Sequence, residues 1–188
     1  MDIKQFMPSR SAIAHLRFVF SLFLFPVFLF ALSQTPALHT THVFLVFFIW
    51  HFLVFPSSNG YNSYFDNDKK SIALLEKPPK VDITLYYFSL LLELTALLSS
   101  LFINLWFAIA VLIYGVVSKM YSHPSIRLKK YPFISFLTVF FFQGAFFYSA
   151  SLVFFTKPIP EKKNSSAIIP ITIKLVVLPL RCITCKPV

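Results

Sequence analysis

The run Ser58-Asn59-Gly60-Tyr61-Asn62-Ser63-Tyr64-Phe65-Asp66-Asn67-Asp68 follows directly on an apolar stretch and gathers side-chain oxygens of the kind that hold a hard cation. If a helix continues through it, three- and four-residue spacing puts Asn59, Asn62 and Asp66 on one face. Such a cluster, at a helix end beside a membrane, suits Mg²⁺, which takes carboxylates together with substrate phosphates. Asp68 points elsewhere unless the helix unwinds. The same residue types also build ordinary solvated turns. A second run, Tyr121-Ser122-His123-Pro124-Ser125-Ile126-Arg127-Leu128-Lys129-Lys130-Tyr131-Pro132, offers cations that can grip a diphosphate. Those cations serve equally well as anchors at a membrane surface.

Other chemistry-bearing residues carry less. Cys182 and Cys185 form one C-x-x-C near the C-terminus, with no second pair and no neighbouring histidine, and read as two incidental thiols. The ending Cys-Lys-Pro-Val lacks the aliphatic pair of a prenylation signal. Glu93, with His51 at the edge of a span, is the main ionisable group inside an apolar run; one such group is too little for a transporter, and a helix–helix contact explains it as well.

These residues must be positioned by helices in lipid. The 188 residues are 57% hydrophobic and 13% charged, with 25 Phe against 3 Gly, far from the balance of a soluble domain. The apolar runs are Phe18 to Leu32, Val43 to Phe55, Ile83 to about Ile103, Leu105 to Val117, and Phe133 to Phe155. They predict an all-α, polytopic transmembrane helical bundle of about five spans. Residues 1–155 form that domain; 156–188 is an atypical tail, expected to be disordered or a poor sixth span interrupted by Pro170, Lys174 and Pro179. The net charge of +10 comes from Lys and Arg scattered between apolar runs, with no basic stripe interleaved with aromatics, which excludes nucleic acid as the expected partner. The loops 56–82 and 118–132 and the N-terminus hold most of that charge, and alternation of five spans puts all three on one side, expected to be cytoplasmic. The links near 33–41 and 99–104 are nearly free of charge.

The Asn59–Asp68 run, followed by Leu75-Glu76-Lys77-Pro78-Pro79-Lys80 and later by Tyr121-Ser122-His123-Pro124 with Arg127-Leu128-Lys129, resembles the UbiA superfamily of membrane prenyltransferases over about Phe18 to Ala150. Asn62-x-x-x-Asp66 matches the core of that family's first Asp-rich motif.

The resemblance implies roughly the first half of a bundle of about nine helices. It also implies a multi-pass protein that binds a polyprenyl diphosphate through Mg²⁺ and transfers the prenyl group to an aromatic or other lipophilic acceptor in the bilayer. By that analogy Asn62, Asp66 and Asp68 hold the metal, and Asn59, Arg127, Lys129 and Lys130 hold the diphosphate. The chemistry needs charge stabilisation on the leaving group and a dry pocket for the allylic cation. Two departures stand beside the match. Lys69 and Lys70 occupy the stretch where another acidic residue is usual, and the second Asp-rich motif is missing, Glu161 being the last acidic residue. The chain is therefore expected to be a C-terminally truncated member. The alternative is a non-catalytic truncated membrane protein, or a small helical partner whose polar loops only anchor it.

Overall fold

In lipid every backbone polar group must find its partner within the protein, which leaves helices as the spanning element of a chain with these apolar runs. The computed structural model describes residues 9–35, 38–67 and 78–155, and among them five helices are long and apolar enough to cross a membrane. They are α1 (Arg10–Ser33), α2 (Thr40–Asp66), α3 (Ile83–Ser100), α4 (Leu105–Ser122) and α5 (Pro132–Phe155). The expected all-α helical bundle is what the described residues form. Asp68, Lys69, Lys70, Lys77 and the tail from 156 onward lie outside the described residues.

Two boundaries differ from the expectation. The first polar loop, expected from Pro56, begins only after Asp66, because the helix runs on through Phe55–Asp66. Polar composition hid it: Ser57 and Ser63 are buried against neighbouring helices, so tertiary contact supports a stretch that hydropathy does not. The second loop, expected from Ser118, begins after Ser122, and its middle tightens into a 3₁₀ turn, Leu128–Lys130.

The helices are irregular where the sequence demands it. Pro56 has no N–H to give the turn before it, and α2 takes up the loss in a wider π-helical stretch, Ile49–Val54, immediately upstream. Pro26 likewise follows a 3₁₀ turn, Leu22–Leu24, within α1. α1 is also broken at Arg17, whose backbone is left-handed at φ 48°. A second π-helical stretch, Phe140–Phe146, lies within α5.

Trp50, fully buried in α2, centres the core, with the rings of Phe55, Phe107, Tyr114 and Phe147 packed around it at 5.2–6.0 Å between centroids. Large apolar side chains such as Phe44, Trp106, Phe133 and Phe136 face outward, as lipid-facing positions require. At one end the start of α1 meets the start of α3, where the Ser9 hydroxyl donates to Asp82 Oδ2 at 2.6 Å, and α2 meets the turn before α5. At the other, the His39 N–H donates to Phe155 O at 2.9 Å.

Candidate functional site

Extension of α2 through Asp66 places Asn62 and Asp66 one helical turn apart, beyond the apolar core. Asn67, next in the chain, adopts φ 47° and closes the helix in the left-handed cap that Asn tolerates. The turn between α4 and α5 approaches from the side. Lys129 Nζ donates to Asn62 Oδ1 at 2.8 Å and is ion-paired with Asp66 Oδ1. Arg127 Nη2 stands 3.7 Å from the same Asp66 oxygen, and the Ser122 hydroxyl donates to Asn62 Oδ1 at 2.8 Å. Lys129 and Asp66 are mostly shielded, with side chains 15% and 18% exposed, whereas Arg127 is half exposed at 51%. The pair at Lys129 therefore carries more energy than the one at Arg127.

Of the residues the sequence singles out, Asn62, Asp66, Arg127 and Lys129 come together here. Lys130 is exposed and makes no ion pair among the described residues. The Asn59 amide donates to Leu16 O and Ser21 Oγ, both at 3.3 Å, tying α2 to α1. Asp68 lies outside the described residues.

Behind Asn62 a cavity of about 230 Å³ runs between α1, α2, α4 and α5. Arg17, Asn59, Asn62, Ser118 and Ser122 line its polar side, and Phe20, Val117, Val139 and Phe142 its apolar side. A smaller hollow of about 60 Å³ adjoins it, with Phe20, Ser58, Asn59, Tyr114 and Gln143 common to both. Sequence reasoning missed Arg17, Ser122 and Gln143. Gln143 is an amide inside the apolar fifth run, and Arg17 a charge at the threshold of the first; each is a local signal for a polar cavity wall. Ser122 carries no such signal.

The chain matches no family model, no curated protein and no solved structure.

What the site can do follows from its own geometry. Asn62 Oδ1 and Asp66 Oδ1 converge on a single cation, the Lys129 ammonium. These two oxygens are the ones here that could hold a hard cation such as Mg²⁺, with water and substrate oxygens completing its shell, since no group of three or more His, Cys, Asp or Glu assembles among the described residues. The non-glycine residues with positive φ among them are Arg17, Asn67 and Arg127. One lines the cavity, one follows Asp66 and one pairs with Asp66, so the costly backbone conformations gather at the charged end.

Glu93 and Lys119 form a separate ion pair between α3 and α4. The Ser57 hydroxyl lies 2.8 Å from both Glu93 Oε2 and Ser89 O, and Lys119 Nζ lies 5.1 Å from the centroid of the Tyr61 ring. Each charged group is answered by a neighbouring helix, which is the helix–helix contact that a lone Glu in a span also suggests.

Proposed function

We propose that the chain is a UbiA-like membrane prenyltransferase, or the diphosphate-binding part of one, taking a polyprenyl diphosphate and a lipophilic acceptor from the bilayer. The observation that carries this reading is the meeting of Asp66, Arg127 and Lys129 with Asn62, which itself lines a cavity whose other wall is apolar, with Phe20, Val117, Val139 and Phe142. An ionic headgroup suits the mouth and a prenyl chain the apolar wall. Arg10, Arg17 and Lys80 lie toward the same end as the 123–131 turn, which supports a cytoplasmic mouth.

Asn62 and Asp66 would hold Mg²⁺, which supplies charge neutralisation at the diphosphate oxygens when bound. Arg127 and Lys129 would stabilise the charge that builds on the diphosphate as the allylic C–O bond breaks. Lys130, exposed beside them, adds to the field that draws the anion in. Phe20, Val139 and Phe142 keep water from the allylic cation, and their ring faces and methyls leave it open to attack by the acceptor.

A second reading is favoured by one observation. Asp66 already has two cationic partners, so the polar loops satisfy each other and would serve a non-catalytic membrane protein as an anchor. Binding of a radiolabelled polyprenyl diphosphate to the purified protein in detergent, with and without Mg²⁺, separates the two. The enzyme reading expects Mg²⁺-dependent binding that Asp66→Ala abolishes; binding in neither protein leaves the anchor.

A further inference from the structure

Asn62 Oδ1 accepts from Ser122 and from Lys129, which uses both lone pairs of that oxygen. Asp66 Oδ1 is held by Lys129 and faced by Arg127. The oxygens that fit a divalent cation are therefore already filled by the chain's own ammonium. Lys129 is delivered by a turn whose backbone hydrogen bonds are local: Arg127 N to His123 O at 2.8 Å, Lys130 N to Arg127 O at 2.8 Å and Tyr131 N to Leu128 O at 3.1 Å. The turn reaches α2 through the two ion pairs, the Lys129–Asn62 hydrogen bond and one ring contact, Phe65 against His123 at 5.3 Å. Its pivot, Arg127, sits at φ 44°, ψ 59°, a conformation that side chains other than Gly and Asn seldom hold without compensation.

We propose that Lys129 is a tethered stand-in for the metal, and that metal and diphosphate enter by exchange of partners. This rests on the diphosphate-binding reading above. A divalent cation arriving alone must displace an ammonium that the turn holds at high effective concentration, and it strands that ammonium without an anion. A diphosphate arriving alone competes with Asp66 for Lys129 and Arg127, and strands the carboxylate. Together, each ligand takes what the other releases: the cation takes Asn62 and Asp66, and the diphosphate takes Lys129 and Arg127. No charge is left unpaired, so the two bind with positive and reciprocal coupling. The site thereby distinguishes metal diphosphate from either component.

The test is Mn²⁺ binding to the purified full chain in detergent, read by electron paramagnetic resonance with no diphosphate present. Lys129→Met is expected to bind Mn²⁺ at least about tenfold more tightly than the parent, because the competing charge-assisted bond is gone. Lys129→Arg keeps the competing charge and stays as weak as the parent, and Asp66→Ala in the Lys129→Met background removes the gain. Lys129→Gln replaces Lys129→Met if the latter does not fold. Equal Mn²⁺ affinity in the parent and the neutral variants overturns the exchange. Labelled polyprenyl diphosphate binding on the same preparations keeps the two readings apart. If the parent binds it with Mg²⁺ but no variant gains Mn²⁺ affinity, the exchange falls and the prenyltransferase reading stands. If Lys129→Met gains Mn²⁺ affinity while no protein binds the labelled ligand, Lys129 is a stand-in cation and the prenyltransferase reading falls.

Discussion

Glu93 on α3 pairs with Lys119 on α4 across Gly115, where any Cβ would collide with the Glu93 carboxylate. Both side chains are about four-fifths shielded, so removing one partner strands the other in a poorly solvated place. Glu93→Ala and Lys119→Met are each expected to destabilise the bundle by about 2 kcal/mol. Gly115→Ala is expected to cost about 1–3 kcal/mol through overpacking. Adding Glu93→Ala to Gly115→Ala should then cost little more, since the carboxylate is what the new methyl strikes. Unfolding in mixed detergent–SDS micelles reads all four proteins, and strict additivity would show that the close approach is not the cause.

Asp82 caps α3 and ties it to the start of α1. Burial pushes its carboxyl up, but the hydroxyls of Ser9 and Thr84 and the N–H groups of Leu85 and Thr84 together outweigh burial and bring it below its ordinary value. A carboxylate lowered in the folded state contributes stability that is full above its unfolded value of about 3.8 and is lost as pH falls through the folded value. Melting temperature is therefore expected to hold from neutral pH to about pH 5 and to decline below it. Asp82→Ala should lose about 1 kcal/mol at pH 7 and show a shallower acid decline. An unchanged acid limb assigns the decline to other carboxylates.

Arg127 pays a backbone cost for a half-exposed ion pair. Arg127→Gly relieves the left-handed conformation and gives up a pair worth little at that exposure, so a net gain of about 0.5 kcal/mol is expected. The same change should weaken polyprenyl diphosphate binding several-fold in the way of any lost cation. A fall in melting temperature would mean that the pair with Asp66 outweighs the strain.

Asn59 ties α2 to α1. Asn59→Ala removes two hydrogen bonds to α1 and is expected to lower stability by about 1 kcal/mol while leaving the Mg²⁺ dependence of diphosphate binding intact. Loss of Mg²⁺ dependence in a well-folded Asn59→Ala protein would place its oxygen at the metal.

Sidedness is open to labelling. With Cys182 and Cys185 replaced by Ser, a cysteine at Ser125 should react with an impermeant thiol reagent from the side opposite to one at Phe102, as five alternating spans require. Labelling of both from one side would remove a span from the count.

The apolar runs were legible because hydropathy is a property of neighbouring residues: five runs became five helices. Asn62 and Asp66 at four-residue spacing were legible for the same reason, once a helix was supposed. That the helix does continue there was settled only by packing, since Ser57 and Ser63 are polar residues held in burial by α3 and its neighbours. Arg17 and Gln143 stood out locally as polar groups at and within apolar runs, but the contact of Asn59 with α1 and the occupation of Asn62 and Asp66 by Lys129 had no local signature. Asn62 and Lys129 lie 67 residues apart, and spacing along the chain does not say which cation fills which oxygen. The solvent's demand for apolar helices is written residue by residue; the pairing of buried charges depends on which helix ends meet, and that is decided by the packing of the whole bundle.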